Sequence, residues 1–496
     1  MSLMGLDLGT TGVRAVACTA AGDVLAEHSV RTPLSRAGDL VETDAEAVLV
    51  AVCDAVRNVI ESSAVRADPV AAVSFSVQGE AVVPVDGDGR ALAPAPVSMD
   101  RRGVGVTAAV GDVLGPAAFQ QITGQPLHPM FSIFKIAAAH HGWTGADVAG
   151  YRTLDAFVAA RLGATASTDY SMAARTGAFD VGRRTWSEPV LDAVEAAAGI
   201  RVAIDELPRV VAPGTVIGTV SAEAAQRSGL DAGTLIVAGL HDQAAGFVGA
   251  GGGRTGPSVF ALGSSDCLTV LTGERPEGLG GTGFASYPIA DDAWITLAGT
   301  AAGGWALEWF ADLVHEPVTD LFLEFGDEPP SLIVLPYLVG SGTLDNDPGA
   351  RGLIVGLTLE TTRPQIARAF LEAAGYELAK IVAAFETRGI DVGPVRAVGS
   401  GAANLSALQV RAAAAGRDLQ PVIGQASARG AALLAGMGTG LFGSIDQIPD
   451  LTPGAAARPG PRHHDWYRQQ RASYDELYAA TASTVHLLSH QQGEHP

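Results

Sequence analysis

The sequence predicts an α/β protein of two related lobes, each a mixed β-sheet with flanking helices. Three observations support this prediction. Strands alternate with helices in both halves of the chain, a strand–loop–strand pattern occurs twice, and 496 residues are too many for one core. We expect the first lobe to span residues 1–248 and the second 249–496, because a glycine-rich run begins at 249.

The repeated pattern is an apolar strand, a glycine followed by two hydroxyl residues, and a second apolar strand. It occurs at Leu6–Val16 and again at Phe260–Val270. A hairpin of this kind directs backbone N–H groups and short hydroxyls at an anion. One copy in each half predicts two lobes that grip a polyphosphate between them. The loop residues are Gly9, Thr10 and Thr11 in the first copy and Gly263, Ser264 and Ser265 in the second.

The other predicted elements follow from hydrophobic spacing and from residues that begin or end helices. In the first half we expect strands at 4–8, 13–19 and 23–30 and a helix opened by a capping box at Thr43–Glu46. In the second half we expect a helix at Trp305–Val314, a long helix from near Thr362, a strand at Val395–Val398 and a helix ending at Ala415. The tail from Thr452 is expected to be peripheral.

Composition limits the class of function. The net charge is −21, from 32 basic and 53 acidic residues, which argues against nucleic acid or an anionic membrane as a partner. This negative charge is still compatible with a phosphate ligand that is held locally by backbone amides and a divalent metal. The three cysteines are widely spaced and form no CxxC pair, and no signal segment or membrane-length apolar run is visible. We therefore expect a cytoplasmic location.

Asp7 stands near the end of an otherwise apolar strand, directly before the first loop. A carboxylate in that position needs a partner to offset its desolvation. With Gly9, Thr10 and Thr11 following, Mg²⁺ or a metal-bound water facing phosphate is one interpretation. The alternative is an aspartate that only satisfies the backbone of a turn. The second copy also carries a pair of hydroxyl residues after its glycine. This repetition favours the metal-binding interpretation of Asp7, because a turn alone does not require a hydroxyl pair in both copies.

Asp242 follows the strand Leu235–Gly239 and precedes a run of small residues. A carboxylate there lies where α/β crevices bind ligands, and a helix N-terminus is expected to keep it ionised. An ionised carboxylate can accept the proton of an attacking hydroxyl. The alternative is a helix N-cap, and the two roles are compatible.

Several further polar positions are weaker candidates. Gln78 and Glu80 close an apolar strand and Asp100 follows a proline-rich turn, so they either grip sugar hydroxyls or are solvated loop residues. The stretch Gly399–Asn404 either lets an adenine ring lie against the backbone or simply packs a helix on a sheet. No GxxxxGK[ST] motif occurs, which excludes a P-loop fold. The motifs HExxH and GxSxG do not occur either.

Together these motifs resemble the FGGY family of carbohydrate kinases, within the actin/hexokinase/Hsp70-type ATPase superfamily. The resemblance covers nearly the whole chain. Beyond the two loops and Asp242-Gln243, it includes Met130–Lys135, Leu335–Gly340 with Asp345–Gly352, and Gly399–Gln409. The order of these matches along the chain makes the resemblance specific. It implies two actin-like (ribonuclease H-like) lobes with an ATP cleft between them.

The resemblance also implies a role for each matching residue, with ATP and Mg²⁺ as cofactors and a small sugar or polyol as partner. Asp7 would organise Mg²⁺, Asp242 would be the general base, and Gln78, Glu80, Asp100 and Gln243 would face the substrate. The residues implied to bind the nucleotide are Gly9, Thr10, Thr11, Arg14, Gly263, Ser264, Gly304, Gly401 and Asn404. Closure of the lobes would exclude water. The sequence leaves the oligomeric state open, with a homodimer as one candidate.

The chain departs from the family pattern around the substrate. Gly79 stands where relatives carry Arg or Met, and Ser98-Met99 replaces the usual Trp before Asp100. Both changes are expected to enlarge or soften the sugar pocket. Glu80 with Asp242-Gln243 resembles glycerol kinases, whereas the rest of the chain resembles xylulokinases, so a small ketose or linear polyol is expected.

Two other classes on the same scaffold compete with a kinase. One is a nucleotide-responsive binding or regulatory protein without phosphotransfer, and the other is a chaperone-like or filament-forming ATPase. The intact Asp242 and both phosphate loops argue against the first. The second leaves Gln78-Gly79-Glu80 and Asp242-Gln243 unexplained.

Overall fold

A computed structural model describes residues 1–143, 148–253, 256–300, 303–322 and 328–493. Within these residues it contains two large mixed sheets, one from each half of the chain, and five small sheets. The predicted α/β class with flanking helices is confirmed. The glycine-rich run at 249–256 lies partly outside the described residues, and the lobe boundary at 248 stays a prediction.

The first large sheet has strand order β14-β15-β6-β1-β2-β3, with β16 also paired to β6. β1, β2 and β3 form an antiparallel meander, and β6 lies parallel to β1. The strands are β1 (Ser2–Leu8), β2 (Gly12–Cys18), β3 (Val24–Arg31), β6 (Val70–Val77), β14 (Val216–Thr219), β15 (Leu235–Val237) and β16 (Leu240–His241).

The second large sheet has strand order β19-β20-β18-β17-β23-β24. Its first hairpin, β17 with β18, is antiparallel, and β23 lies parallel to β17, so the central plan of the first sheet is repeated. This is the tertiary counterpart of the repeated sequence pattern. The strands are β17 (Ser258–Leu262), β18 (Asp266–Thr272), β19 (Ala285–Ala290), β20 (Ala293–Gly299), β23 (Val395–Val398) and β24 (Leu419–Pro421).

The small sheets are short pairs or triplets at the periphery of the two large ones. Their strands are β4 (Leu34–Ala37), β5 (Leu40–Thr43) and β8 (Ala95–Pro96); β7 (Val82–Val85) and β9 (Gly150–Thr153); β10 (Ser167–Asp169) and β13 (Arg209–Val211); β11 (Phe179–Asp180) and β12 (Thr185–Trp186); β21 (Ile333–Leu335) and β22 (Leu353–Val355).

The helices cover the faces of the sheets. In the first half they are α1 (Ala45–Ile60), α2 (Ser63–Ala67), α3 (Val104–Leu114), α4 (Pro116–Thr123), α5 (Ser132–Trp143), α6 (Leu154–Leu162), α7 (Tyr170–Ala174), α8 (Glu188–Ala198), α9 (Ala222–Ser228) and α10 (Asp242–Gly249). In the second half they are α11 (Gly304–Val314), α12 (Val318–Leu321), α13 (Arg363–Thr387), α14 (Leu405–Ala415), α15 (Ala426–Gly438) and α16 (His464–Gly493).

α10 and α15 join the two halves by unusually close packing. A Cβ atom added at Gly249 would lie 1.8 Å from the Ala426 carbonyl oxygen, and one at Gly430 would lie 1.9 Å from that of Ala245. α15 also packs against β1, where a Cβ at Gly5 would meet the Ala428 oxygen at 1.8 Å. These glycines therefore allow the backbones to approach and hold α10 and β1 against α15.

Most predicted elements match, two local predictions are wrong, and the two loops differ in length. α1 is capped by Asp44, whose side chain accepts from two backbone N–H groups, so the box does not begin at Thr43. The tail is not peripheral, because Tyr467 and Tyr474 of α16 are buried and belong to a hydrophobic cluster of the second half. The second phosphate loop is one residue shorter than the first, since Leu262 pairs with Asp266 where Leu8 pairs with Val13.

Among the described helices, none combines the length and the hydropathy that would be needed to cross a lipid bilayer.

Candidate active site

The two phosphate loops lie at the tips of equivalent hairpins. In the first, the Gly9 N–H donates to the Gly12 carbonyl at 3.0 Å, and in the second Gly263 N–H donates to Ser265 at 3.3 Å. Both tips are open to solvent, with Thr11, Gly263 and Ser264 exposed and Thr10 half-buried. The hairpin geometry predicted for both copies is therefore present, with the remaining loop donors available to a ligand.

A cavity of about 170 Å³ between the sheets collects residues from both halves. Asp7, Arg14, Asp242 and Gln243 line it from the first half, and Gly263 lines it from the second. A second, open cavity of about 850 Å³ adjoins Asp7 and is lined by Gly9, Thr11, Arg14 and further arginines. The fold thus brings the predicted metal, base and phosphate residues to one cleft.

Asp7 is held from the neighbouring strand rather than by the turn. The Ser76 hydroxyl donates to its Oδ1 at 2.7 Å. Burial raises the pKa of Asp7, opposed by that hydrogen bond and by Arg14. Arg14 itself donates to Ser29 Oγ at 2.8 Å and to the Gln425 side chain. The interpretation of Asp7 as a turn-forming residue is therefore wrong.

Asp242 is the first residue of α10, and the N-cap position belongs to His241. The N-cap interpretation of Asp242 is therefore wrong by one residue. The pKa of Asp242 is raised to about 7, chiefly by burial and then by Asp7 and Glu80, while a hydrogen bond from the Gln243 N–H opposes the shift. Burial and two nearby carboxylates therefore oppose the helix terminus, and Asp242 is partly ionised near neutral pH.

Glu80 is buried and has a positive φ of 68°. Its Oε1 accepts from Arg175 Nε at 2.5 Å, and Arg175 Nη1 also donates to Gln125 Oε1 at 2.8 Å. Gln78 Nε2 makes a long 3.4 Å contact with the Gly9 carbonyl. The predicted substrate residue Gln78 thus lies beside the first loop, and Glu80 is held by a buried ion pair with Arg175.

Asp100 lies apart from this cavity, in the segment that follows β8. Its carboxylate accepts from the Val41 N–H at 2.9 Å and from the Arg102 side chain at 2.7 and 2.8 Å. Arg102 also pairs with Glu42. Through these contacts the Asp100 carboxylate stabilises the small sheet that contains β5 and β8. No described contact joins Asp100 to Gln78, Glu80 or Asp242.

The remaining nucleotide candidates surround the second loop. The Gly304 N–H donates to the Gly263 carbonyl at 2.8 Å, and a Cβ on Gly304 would lie 2.6 Å from that oxygen. A Cβ on Gly401 would lie 2.8 Å from Leu262 Cβ. The Asn404 side chain caps α14 by accepting from Ala407 N–H at 2.9 Å. These residues shape the wall beside the second loop.

The sequence interpretation missed several residues of the site. His241 directly precedes Asp242, and its Nε2 lies 3.1 Å from Asp242 Oδ1, so its position beside the acid could have been noticed. Arg175 and Tyr287 carry no local signal, because each reaches the site from a distant segment. Asp266 was passed over at the second loop, although it is buried and burial raises its pKa to about 6, opposed by Arg411.

Comparison with known proteins agrees with this architecture. Residues 2–249 match the N-terminal domain of the FGGY family of carbohydrate kinases, and residues 259–439 match its C-terminal domain. The chain is 26% identical to the xylulose kinase of Bacillus subtilis, with 97% of each chain covered. It is 30% identical to the glycerol kinase of Aromatoleum aromaticum, covering 90% of this chain and 92% of the relative.

Solved structures share the two-lobed fold. A ligand-bound xylulose kinase from Lactobacillus acidophilus superposes with a TM-score of 0.86 at 22% identity, covering 98% of this chain and 99% of that one. The glycerol kinase of Plasmodium falciparum with ADP gives 0.82 at 18% identity, covering 97% and 98%. The family resemblance inferred from the motifs is confirmed, and the chain belongs to the FGGY family of carbohydrate kinases, which are phosphotransferases.

Proposed function

We propose that this chain transfers the terminal phosphoryl group of ATP to a hydroxyl of a small ketose or linear polyol. The observation that carries the proposal is the shared cavity in which Asp7, Arg14 and Asp242 of one half face Gly263 of the other. Phosphoryl transfer requires chiefly positioning and charge stabilisation, and a cleft between two phosphate loops supplies both. The ADP in the Plasmodium falciparum neighbour supports a nucleotide here.

Asp242 is proposed as the general base. Its side chain is 36% exposed, and it opens into the cavity rather than packing in the core. Burial, aided by Asp7 and Glu80, raises its pKa to about 7. A base with a pKa near neutral combines a substantial ionised fraction with real proton affinity. Asp242 would accept the hydroxyl proton as the oxygen attacks the phosphorus.

The residues present fit Mg²⁺, with Asp7 as the protein group that would hold it. Asp7 and Asp242 line the same cavity, and the Asp7 carboxylate raises the pKa of Asp242, so the site has an excess of negative charge. Among the described residues no cluster of three or more His, Cys, Asp or Glu side chains could hold a metal alone. That suits Mg²⁺, which commonly binds one or two carboxylates together with water and substrate phosphates. When bound, the ion would offset charge on the phosphates.

The acceptor is proposed from the polar groups beside Asp242. Gln78 Oε1 and Gln125 Nε2 are buried without a hydrogen-bond partner among the described residues. Buried amides rarely lack partners, so these two suit the hydroxyls of a bound sugar or polyol. Gln243 lines the cavity together with Asp242, and Arg175 orients Glu80. Relatives named xylulose kinase and glycerol kinase agree with this class of acceptor.

The experiment is an ADP-release screen over ketoses and linear polyols with the purified full chain, followed by Asp242→Asn on the best acceptor. We expect a loss of at least about 100-fold in kcat, since general-base catalysis typically contributes about 10²–10⁴-fold. Asp112→Asn, an exposed position on α3, is the matched control. Near-parent turnover of Asp242→Asn would refute the base. Failure of every acceptor, with ATP still bound, would favour the nucleotide-responsive binding protein.

A cytoplasmic location and a homodimer stay predictions. Cell fractionation tests the first, and size-exclusion chromatography with light scattering tests the second.

A further inference from the structure

His241 lies between the two halves of the molecule, and both of its ring nitrogens are engaged. Nδ1 lies 2.9 Å from the hydroxyl of Tyr287, on β19 of the second sheet. Nε2 lies 3.1 Å from Oδ1 of Asp242. A continuous path of hydrogen-bonding groups therefore runs from a tyrosine of the second half, through His241, to the proposed base of the first half.

The protonation of this path follows from its surroundings. Burial lowers the pKa of His241 well below its usual value, with Arg175 lowering it further, so the ring is neutral. Burial also raises the pKa of Tyr287, so its hydroxyl keeps its proton. An ionised Asp242 only accepts, so the contact between Nε2 and Oδ1 is a hydrogen bond in the tautomer that carries its hydrogen on Nε2. Nδ1 is consequently the acceptor, and the Tyr287 hydroxyl is its donor.

The backbone of His241 is fixed as well as its ring. The His241 N–H donates to the Ser171 hydroxyl at 2.8 Å, and that hydroxyl donates to Asp169 at 2.5 Å. A Cβ added at Gly79 would lie 3.1 Å from Cδ2 and from Nε2 of the ring. Because Gly79 has no side chain, the His241 ring can occupy the space beside it. The family pattern predicts a larger residue at position 79.

Tyr287 is also held at a fixed place relative to the first half. Its neighbour Ser286 donates its N–H to the Gly124 carbonyl at 2.7 Å, and Gln120 Nε2 donates to Phe284 O at 2.8 Å. Gly124 has a φ of 69°, and a Cβ there would lie 1.9 Å from the Ser286 oxygen. The chain is thus anchored to the first half immediately before the tyrosine.

We propose that Tyr287 selects the His241 tautomer that donates to Asp242, so that the second lobe positions the base of the first. Tyr287 and His241 are then positioning residues: Tyr287 orients His241, and His241 orients the base Asp242. This inference rests on the proposed role of Asp242. Without the tyrosine hydroxyl, Nδ1 can carry the hydrogen instead, and the Nε2 lone pair would then face the carboxylate.

The first test is Tyr287→Phe, with Tyr151→Phe as its matched control. Tyr151 is equally buried, and its hydroxyl lies 2.8 Å from Nδ1 of His140, away from Asp242. We expect Tyr287→Phe to lower kcat about 3- to 10-fold, the effect of one lost hydrogen bond, with both KM values within about two-fold. Tyr151→Phe should keep the parent kcat. Equal effects of the two substitutions would overturn the inference.

The second test separates positioning from a general loss of packing. In a His241→Gln background the amide can donate to Asp242 and has no tautomers to select. Tyr287→Phe should therefore cost no further kcat there, whereas additive losses would overturn the inference. Nitrogen NMR of ring-labelled full chain supplies a readout without catalysis. The His241 resonances should report hydrogen on Nε2, and should change in Tyr287→Phe but not in Tyr151→Phe.

The outcomes also separate this inference from the proposed function. Near-parent turnover of Asp242→Asn would overturn both. An inactive Asp242→Asn together with a parent-like Tyr287→Phe, in both kcat and the His241 resonances, would overturn only the role of Tyr287.

Discussion

Replacing Arg175 with methionine should destabilise the first lobe strongly. Arg175 and Glu80 form an ion pair whose side chains are only 13% and 4% exposed. Arg175→Met would leave the Glu80 carboxylate buried without its cation, and breaking a buried pair in this way typically costs about 3–5 kcal/mol. For a lobe of the predicted size, about 2–4 °C of melting temperature accompanies each kcal/mol, so a decrease of about 6–20 °C is expected.

The assay is thermal unfolding of the purified variants at one pH, ionic strength and scan rate. Arg161→Met is the control, because Arg161 pairs with Glu46 in the same lobe, where the two side chains are 21% and 40% exposed. Such exposed pairs contribute about 0–1 kcal/mol, so the control should lose about 4 °C at most.

A second variant tests the cause of the loss. Glu80→Gln combined with Arg175→Met leaves no unpaired carboxylate at this position, so it should melt above Arg175→Met alone. The reasoning is refuted if Arg175→Met melts within about 4 °C of the parent. It is also refuted if the double variant is less stable than Arg175→Met, because charge burial would then not be the cause.

Two further predictions concern buried acids. Asp7→Ala should abolish most turnover and weaken the Mg²⁺ dependence, yet leave the melting temperature unchanged or raised, because burial disfavours the Asp7 carboxylate; a melting temperature lowered in step with activity would contradict this. Burial and the nearby Asp155 carboxylate raise the pKa of Asp169 to about 8. The folded state therefore binds one more proton than the unfolded state between about pH 4 and 8, and stability falls as the pH rises through that window. Asp169→Asn should flatten the decrease in unfolding free energy between pH 5 and 8 measured by denaturant titration, and an unchanged slope would contradict the assignment.

Local sequence was sufficient for the parts of the molecule whose physics is local. The two Gly-hydroxyl loops are present because a strand, a tight turn and a returning strand are specified by adjacent residues. The strand Val395–Val398 and the end of α14 at Ala415 match the prediction for the same reason. The family followed from several such local motifs in the expected order.

Positions that depend on partners far along the chain were not predictable in this way. The cap that Asn404 provides to α14 was not predicted from the sequence, and its contact with a nucleotide stays a prediction. The partners of Asp100, Arg102 and the Val41 N–H, were likewise not predicted, and its role towards a sugar stays a prediction. The tail lacks a clear apolar stripe, yet Tyr467 reaches Glu372 across the second half at 2.9 Å.

The sequence by itself determined the fold class, the doubled phosphate loop and the placement of Asp242 after a strand. Tertiary structure decided what surrounds that carboxylate: His241 on one side, Asp7 across the cavity, and Tyr287 from the other half. The physical reason is that hydrogen-bonded turns and strand ends are set by neighbouring residues. The protonation and orientation of a buried acid are set by desolvation and by groups that only folding brings within a few ångströms.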